Sequence, residues 1–370
     1  MDLILIWELF KTFFSSFCFL ISFDYSGYAE TIPFIILTVV LMLIIILLFI
    51  LMAAFLTLYE RQTLAAIQRR KGPNVVGFMG LLQAFADAFK LLFKEQSTPI
   101  TSARIFFIGS SLYVVLFSLF VWAVIPLGYG AVIADLGDVA FLYLISISSV
   151  SVYGIIVAGW SSNSRYPFLG ALRACAQMLA YELVISVILL QIFLFTGSLN
   201  ITEIVTAQQD TCNGWFIFMC GPLALIWFIC TLAETYRAPF DLAEAESELV
   251  SGFNVEYSSM TFAFLFLGEY LHVIVMSNLF VIIFLGGWLP VPLISYVFPE
   301  LWALVPGLAW YCLKLWFVIF TFIWVRATFP RFRYDQLMAL GWKILLPLVC
   351  ALLVVSVFFI LALSPISITY

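Results

Sequence analysis

The chain has 370 residues, of which 65% are hydrophobic and only 10% charged, with a formal net charge of −5. Its mean hydropathy of +1.15 and an apolar content far above the roughly 45 to 50% of soluble domains mark a polytopic membrane protein. There is no basic patch of the kind nucleic acid requires. The seven cysteines (Cys18, Cys175, Cys212, Cys220, Cys230, Cys312, Cys350) are scattered with no C-x-x-C, and His272 is the only histidine, so no ligand set for an iron–sulfur cluster, zinc, copper or bis-histidine haem is readable.

In chain order, residues 1–31 hold an apolar run interrupted by Glu8 and Lys11 and followed by Asp24 and Glu30. They lack the basic start and small-residue cleavage site of a signal peptide, and read as an N-terminal extension forming an amphipathic or partly inserted helix. Eight apolar stretches follow at about residues 32–58, 105–126, 139–159, 174–196, 215–233, 258–285, 306–327 and 341–363, each near the roughly 20 residues that cross a bilayer. Helices are the only sensible form for spans of that length. The predicted fold is therefore all-α, with an eight-helix membrane domain over residues 32–370.

Of the 16 basic residues, 14 fall in alternate connections: Arg61, Arg69, Arg70, Lys71, Lys90, Lys94 and Arg104, then Arg165 and Arg173, then Arg237, then Arg326, Arg331, Arg333 and Lys343. That side faces the cytoplasm or the mitochondrial matrix. In the first inside loop, residues 60–104, Gln83, Asp87, Lys90 and Lys94 line one face of a helix whose other faces carry Leu81, Leu82, Phe85, Phe89 and Leu92, the pattern of an amphipathic helix at the membrane surface. Ahead of it, Gly72-Pro73-Asn74 is a turn signal. Arg69, Arg70 and Lys71 suit a solvated face, an anionic leaflet or an acidic partner.

The second informative loop runs from Glu234 to Glu256 and carries Glu234, Asp241, Glu244, Glu246, Glu248 and Glu256 against only Arg237. Crowded carboxylates in a poorly solvated site split into protonated and ionised members, and such a set can store and pass protons; a solvated acidic loop between spans has the same composition. Asp241, Glu244 and Glu248 are predicted to share one helical face with Glu246 turned away, and Pro239 suits the first turn of that helix.

Within the spans, Glu182, Glu269 and Lys314 would each cost about 2.5 to 3.5 kcal/mol at a bilayer centre, so inward-facing, paired positions are expected. Glu60 and Arg61, where the first span ends, are expected to pair with each other. His272, three residues after Glu269, reads as a packed or interfacial residue. Arg331 and Arg333 lie close to Asp335 in the last inside loop.

Four blocks carry a resemblance: ERQTLAAIQRRKGPNVVG with GLLQAFADAFKLLFKE; GWSSNSRYPFLGALRACAQMLAYE; LAETYRAPFDLAEAESELVSGFNVEY; and RATFPRFRYDQLM. With these, spread over about residues 50–345, the chain resembles the subunit 1 family of respiratory complex I, the proton-pumping NADH:quinone oxidoreductase. The first 30 or so residues extend beyond the usual start of that family, and the loops near 197–214 and 286–305 match it loosely.

The resemblance implies a membrane subunit docked under a hydrophilic arm, with the loops at 60–104 and 234–257 building the membrane end of a quinone tunnel. Glu60, Arg61, Phe85, Asp87, Arg331 and Arg333 would line that tunnel. Glu182, Glu234, Asp241, Glu244, Glu246, Glu248 and Glu269 would relay protons or charge from it. No cofactor is implied on this chain, quinone being the substrate, with FMN and iron–sulfur clusters on partner subunits. Those partners are a quinone-proximal iron–sulfur subunit, a hydrogenase-like large subunit, and small and antiporter-like membrane subunits; ubiquinone and the lipid bilayer complete the set.

Two readings from other classes remain. A proton-coupled secondary transporter could use Glu182, Glu269 and Lys314, although no paired, Gly/Pro-broken spans mark two halves. The membrane anchor of a membrane-bound hydrogenase could share the acidic loop without needing quinone; the full block around Asp87 favours the quinone enzyme. The 39 phenylalanines and six lysines suit an organelle-encoded subunit of the mitochondrial inner membrane, with a bacterial plasma membrane as the alternative.

Overall fold

The computed structural model describes residues 32–210, 214–242, 250–292 and 305–363. Every regular element among them is helical: α1 Ile32–Ile67, α2 Gln83–Phe93, α3 Arg104–Phe120, α4 Ala140–Ser161, α5 Arg165–Thr196, α6 Ile201–Asp210, α7 Gly221–Glu234, α8 Ser259–Phe284, α9 Gly307–Thr328, α10 Tyr334–Ala339 and α11 Leu346–Leu363. A π-helical segment, Leu340–Leu345, joins α10 to α11. The N-terminal extension, Glu244, Glu246 and Glu248 lie outside the described residues.

Among the described residues, seven helical segments are long and apolar enough to cross a membrane: Met42–Ile67, Arg104–Ala123, Gly137–Ser161, Arg165–Thr196, Ser259–Phe284, Gly307–Thr328 and Tyr334–Ile360. The protein is an all-α, multi-pass membrane protein. The stretch expected to be a fifth span is broken instead. A turn at Phe216–Met219 stops at Cys220, whose backbone leaves the helical region, and α7 restarts with Pro222 in its first turn. Its 14 residues rise about 21 Å, short of a hydrocarbon core of about 30 Å.

Two further boundaries differ from the sequence reading in ways that matter to the site. α1 continues through Glu60 and Arg61 to Ile67, where hydropathy places a loop. α5 begins at Arg165, so that Arg165 and Arg173 belong to the helix. Hydropathy ends a span where charges begin, but a helix continues while its backbone bonds can still form.

α8 is the axis of the bundle, packed against α1, α2, α3, α6, α7 and α9. Its final turns, Val281 to Phe284, are completely buried. Without a hydrophobic force between helices in lipid, close approach depends on small residues. Val114 of α3 wedges between two of them: a Cβ at Gly154 of α4 would lie 2.6 Å from Val114 Cγ2, and one at Gly268 of α8 2.6 Å from Val114 Cγ1. Likewise Gly170 of α5 touches the backbone of Gly252 and Phe253, where a Cβ would sit at 2.9 Å. This contact seats the chain that follows the acidic stretch.

Lys314 is buried, as expected for an intramembrane cation, and its partners explain how. Its Nζ donates to the carbonyl oxygens of Leu285 (2.6 Å), Gly287 (2.9 Å) and Leu289, and lies 4.3 Å from the centre of the Trp215 ring. All three ammonium protons are thereby used at the far end of α8. The transporter reading needs Lys314 beside Glu182 or Glu269, and its bonds are to backbone instead.

Candidate functional site

The site assembles where α1, α8 and α9 meet the loop after α7. Leu56 and Glu60, one helical turn apart on α1, face Tyr270 and Val273 of α8 and Ile319, Phe322, Ile323 and Arg326 of α9. Glu60 is 5% exposed and accepts from three donors. Arg237 Nη1 lies 3.1 and 3.3 Å from its two oxygens, the Tyr270 hydroxyl donates at 2.7 Å, and Arg326 Nη1 completes the set. The Arg237 guanidinium also lies over the Tyr270 ring at 4.3 Å. Burial opposes the charge on Arg237, but Glu60 and Tyr270 outweigh it and raise its pKa above the usual value.

The expected Glu60–Arg61 pair does not form. Consecutive helical residues do not face each other, and Arg61 points to Asp87 of α2 at 2.7 Å. Asp87 also accepts from Gln83 Nε2 at 3.1 Å, so α2 presents the polar face read from the sequence, while Phe85 packs edge-on against Phe55 of α1 at 6.1 Å. The Arg61–Asp87 pair is half-exposed, and such pairs are worth about 0 to 1 kcal/mol. It links α1 to α2 more than it stabilises them.

Asp241 is not helical; Pro239 and Phe240 precede it in a turn, so the expected start of a helix at Pro239 is corrected. Arg331 Nη2 donates to Asp241 at 3.0 Å, while the side chain of Arg333 is exposed. The two loops are clasped together: Phe332 N–H donates to the Pro239 carbonyl at 3.1 Å, and the Phe240 and Phe332 rings stack at 5.5 Å.

Burial raises the pKa of Asp241 above the ordinary aspartate value, against the pull of Arg331, Arg326 and Arg237. A raised acid binds more protons folded than unfolded. Its contribution to stability is therefore largest below the ordinary value near 4 and declines as pH rises through the folded pKa. Isotope-edited infrared spectra, differenced against Asp241→Asn, should show a protonated carboxyl persisting above that ordinary value. A midpoint at or below it would contradict the burial argument.

A small cavity of about 40 Å³ is lined by Ser118, Ser148, Ser151, Glu234, Glu269 and His272 among apolar side chains of α3, α4, α5 and α8. Glu234, the last residue of α7, is 3% exposed and lies 3.5 Å from His272 Nε2. His272, expected to be a packed residue, therefore faces the cavity. Glu182 of α5 accepts from Ser149 Oγ and lies close enough to Glu234 and His272 to feel their charges. Glu269 is within such range of Arg237 and Tyr236, as Asp241 is of Arg326 and Arg237. Arg331–Asp241, Arg237–Glu60–Arg326 and His272–Glu234 are the direct pairs of a ladder of charged groups, with Glu269 and Glu182 in the same region of the bundle. Sequence alone marks Arg237 only as a lone counter-charge and passes over Tyr270 and Arg326. Their signals are Tyr270 following Glu269 and Arg326 in the last turn of a span.

Among the described residues, no group of three His, Cys, Asp or Glu side chains could hold a metal ion. Fold and site together define a multi-pass helical membrane protein with a cluster of paired charged groups around the buried Glu60. The chain belongs to the NADH dehydrogenase family, whose profile matches residues 39–357. It is 52% identical over 298 residues to NADH-ubiquinone oxidoreductase chain 1 of Chondrus crispus, covering 80% of this chain and 88% of that one. With NADH-ubiquinone oxidoreductase chain 1 of Arabidopsis thaliana it shares 52% over 295 residues, covering 80% and 88%. It is 53% identical over 294 residues to a bacterial relative, an NADH-quinone oxidoreductase subunit of Paramagnetospirillum magneticum, covering 80% and 83%.

Proposed function

We propose that the chain is the membrane subunit of a proton-translocating NADH:quinone oxidoreductase that receives quinone from the bilayer and couples its reduction to proton movement. The observation that supports the coupling is the row of charged pairs between Asp241 and Glu182: Arg331–Asp241, Arg237–Glu60–Arg326 and His272–Glu234. Phe85, Asp87, Arg61, Glu60, Arg331 and Arg333 form the membrane end of the quinone tunnel, the exposed apolar side chains Phe85, Phe89 and Leu92 of α2 offering a surface to the tail. Glu234, Asp241, Glu269 and Glu182, with Glu244, Glu246 and Glu248 of the same loop, relay the response. Residues 60–104 and 234–257 are the tunnel loops of a membrane domain that begins after residue 31.

Reduction of quinone to quinol consumes two electrons and two protons. The electrons arrive from an iron–sulfur cluster on a partner subunit, FMN lying further upstream. The charge change at the quinone then shifts proton occupancy at Asp241 and Glu60. Because Arg237 and Arg326 both hold Glu60 and lie within electrostatic range of Asp241, a proton gained at one of these two carboxylates alters the affinity of the other. Moving one charge against 100 mV costs about 2.3 kcal/mol, so a strongly coupled set is required. Partner membrane subunits of the antiporter-like kind take up the change beyond Glu182, and the hydrogenase-like and iron–sulfur subunits cover the tunnel loops. The strong identity to red-algal and plant chain 1 proteins supports the mitochondrial inner membrane as its location.

Asp87→Asn in the assembled complex tests the tunnel assignment. Arg61 loses its partner on α2, and KM for a long-tailed quinone rises about tenfold with kcat little changed, the pattern of lost uniform binding. An unchanged KM would remove Asp87 from the tunnel.

A further inference from the structure

Gln177 of α5 is completely buried, and its one side-chain nitrogen joins two points of the chain seven residues apart. Nε2 donates to the Ala233 carbonyl at 2.7 Å and to the Phe240 carbonyl at 2.9 Å. Both partners are acceptors, so the orientation of the amide is dictated by chemistry. Ala233 immediately precedes Glu234, and Phe240 immediately precedes Asp241. The two carboxylates at the ends of the loop are thus each fixed through the carbonyl before them by the same NH₂ group. Arg237, between them, reaches Glu60.

We infer that Gln177 is a positioning residue for the charge ladder, setting the separation of Glu234 and Asp241 and the placement of Arg237 between them. This rests on the coupling role proposed above. Only an amide can fill the position. It needs two N–H donors on one atom at the end of a two-carbon stem; a protonated Glu offers one donor, an ionised Glu none, and Asn falls one methylene short. The Oε1 of Gln177 is buried with no hydrogen-bond partner, a cost that packing alone would avoid by placing an apolar side chain here. One turn along the same face, Tyr181 donates its hydroxyl to the Leu337 carbonyl at 3.0 Å. Its ring meets Phe240 at 6.1 Å, so α5 holds the acidic loop and the segment after Arg331 in one register.

The test uses Gln177→Leu, Gln177→Glu and Gln177→Asn in the assembled complex, with Gln191→Leu as control. Gln191 is an equally buried glutamine on α5 that donates to the Val349 carbonyl at 2.7 Å, away from the loop. Loss of both bonds in Gln177→Leu should speed amide exchange of residues 235–242 about tenfold and lower quinone-reductase kcat by a similar factor, with KM within about twofold. Gln177→Glu should regain activity as pH falls and its carboxyl becomes a donor, and Gln191→Leu should alter neither readout. Unchanged exchange in Gln177→Leu overturns the inference, as does loss of assembly in all three Gln177 variants. Faster exchange with unaltered kcat and pH profile confirms the pin and removes the coupling role of the loop instead.

Discussion

Glu60→Gln should lower quinone-reductase turnover of the assembled complex about a hundredfold or more. The carboxylate is the common acceptor of Arg237, Arg326 and Tyr270, and neutralising it leaves two guanidinium groups facing each other without a counter-charge. Breaking a buried pair by removing one partner costs about 3 to 5 kcal/mol, mostly through Arg237, whose side chain is 14% exposed. Arg326 is 39% exposed, and water absorbs part of its loss. Adding Arg326→Gln to Glu60→Gln should therefore recover about tenfold by relieving the repulsion, and a double-mutant cycle on turnover measures that coupling directly. Additive losses would mean that the two arginines do not share Glu60 in the working enzyme.

The second large effect is expected at Glu234. This carboxylate sits at the C-terminal end of α7, against the negative end of that helix dipole, in the cavity with His272 and within electrostatic range of Glu182. It is the point where the loop ladder enters the bundle. Glu234→Gln keeps the shape of the side chain and removes its ability to take a proton, so quinone-reductase kcat should fall about tenfold to a hundredfold, with KM nearly unchanged. An unaltered kcat would remove Glu234 from the relay.

Much of this was legible in the residues. Length and hydropathy locate the spans because a bilayer leaves few options. The spacing of Gln83, Asp87 and Lys90 anticipates the polar face of α2, which ends at Phe93 so that Lys94, read as part of that face, has extended backbone beyond it, and the cost of burying Glu182, Glu269 and Lys314 requires partners for each. What the sequence hides is which partner is chosen. Glu60 and Arg61 are adjacent in the chain yet turn about 100° apart on a helix of 3.6 residues per turn, and so join separate networks. Glu60 instead meets Arg237, Tyr270 and Arg326 across 177 to 266 positions, separations for which local periodicity carries no signal. The break at Cys220 is hidden for a related reason: hydropathy scores residues 215–233 as one apolar run, while a helix boundary depends on backbone geometry at a single residue. Gln177 gives no sign at all, since a lone amide in a span looks the same whether it holds one carbonyl or two.

Proteoliposomes containing the assembled complex allow quinone reduction and proton translocation to be followed together in Glu234→Gln. If the buried carboxylates transmit the redox event, proton translocation is lost and quinone turnover is held back with it. Proton translocation per electron equal to that of the unaltered enzyme, at undiminished turnover, would contradict the account.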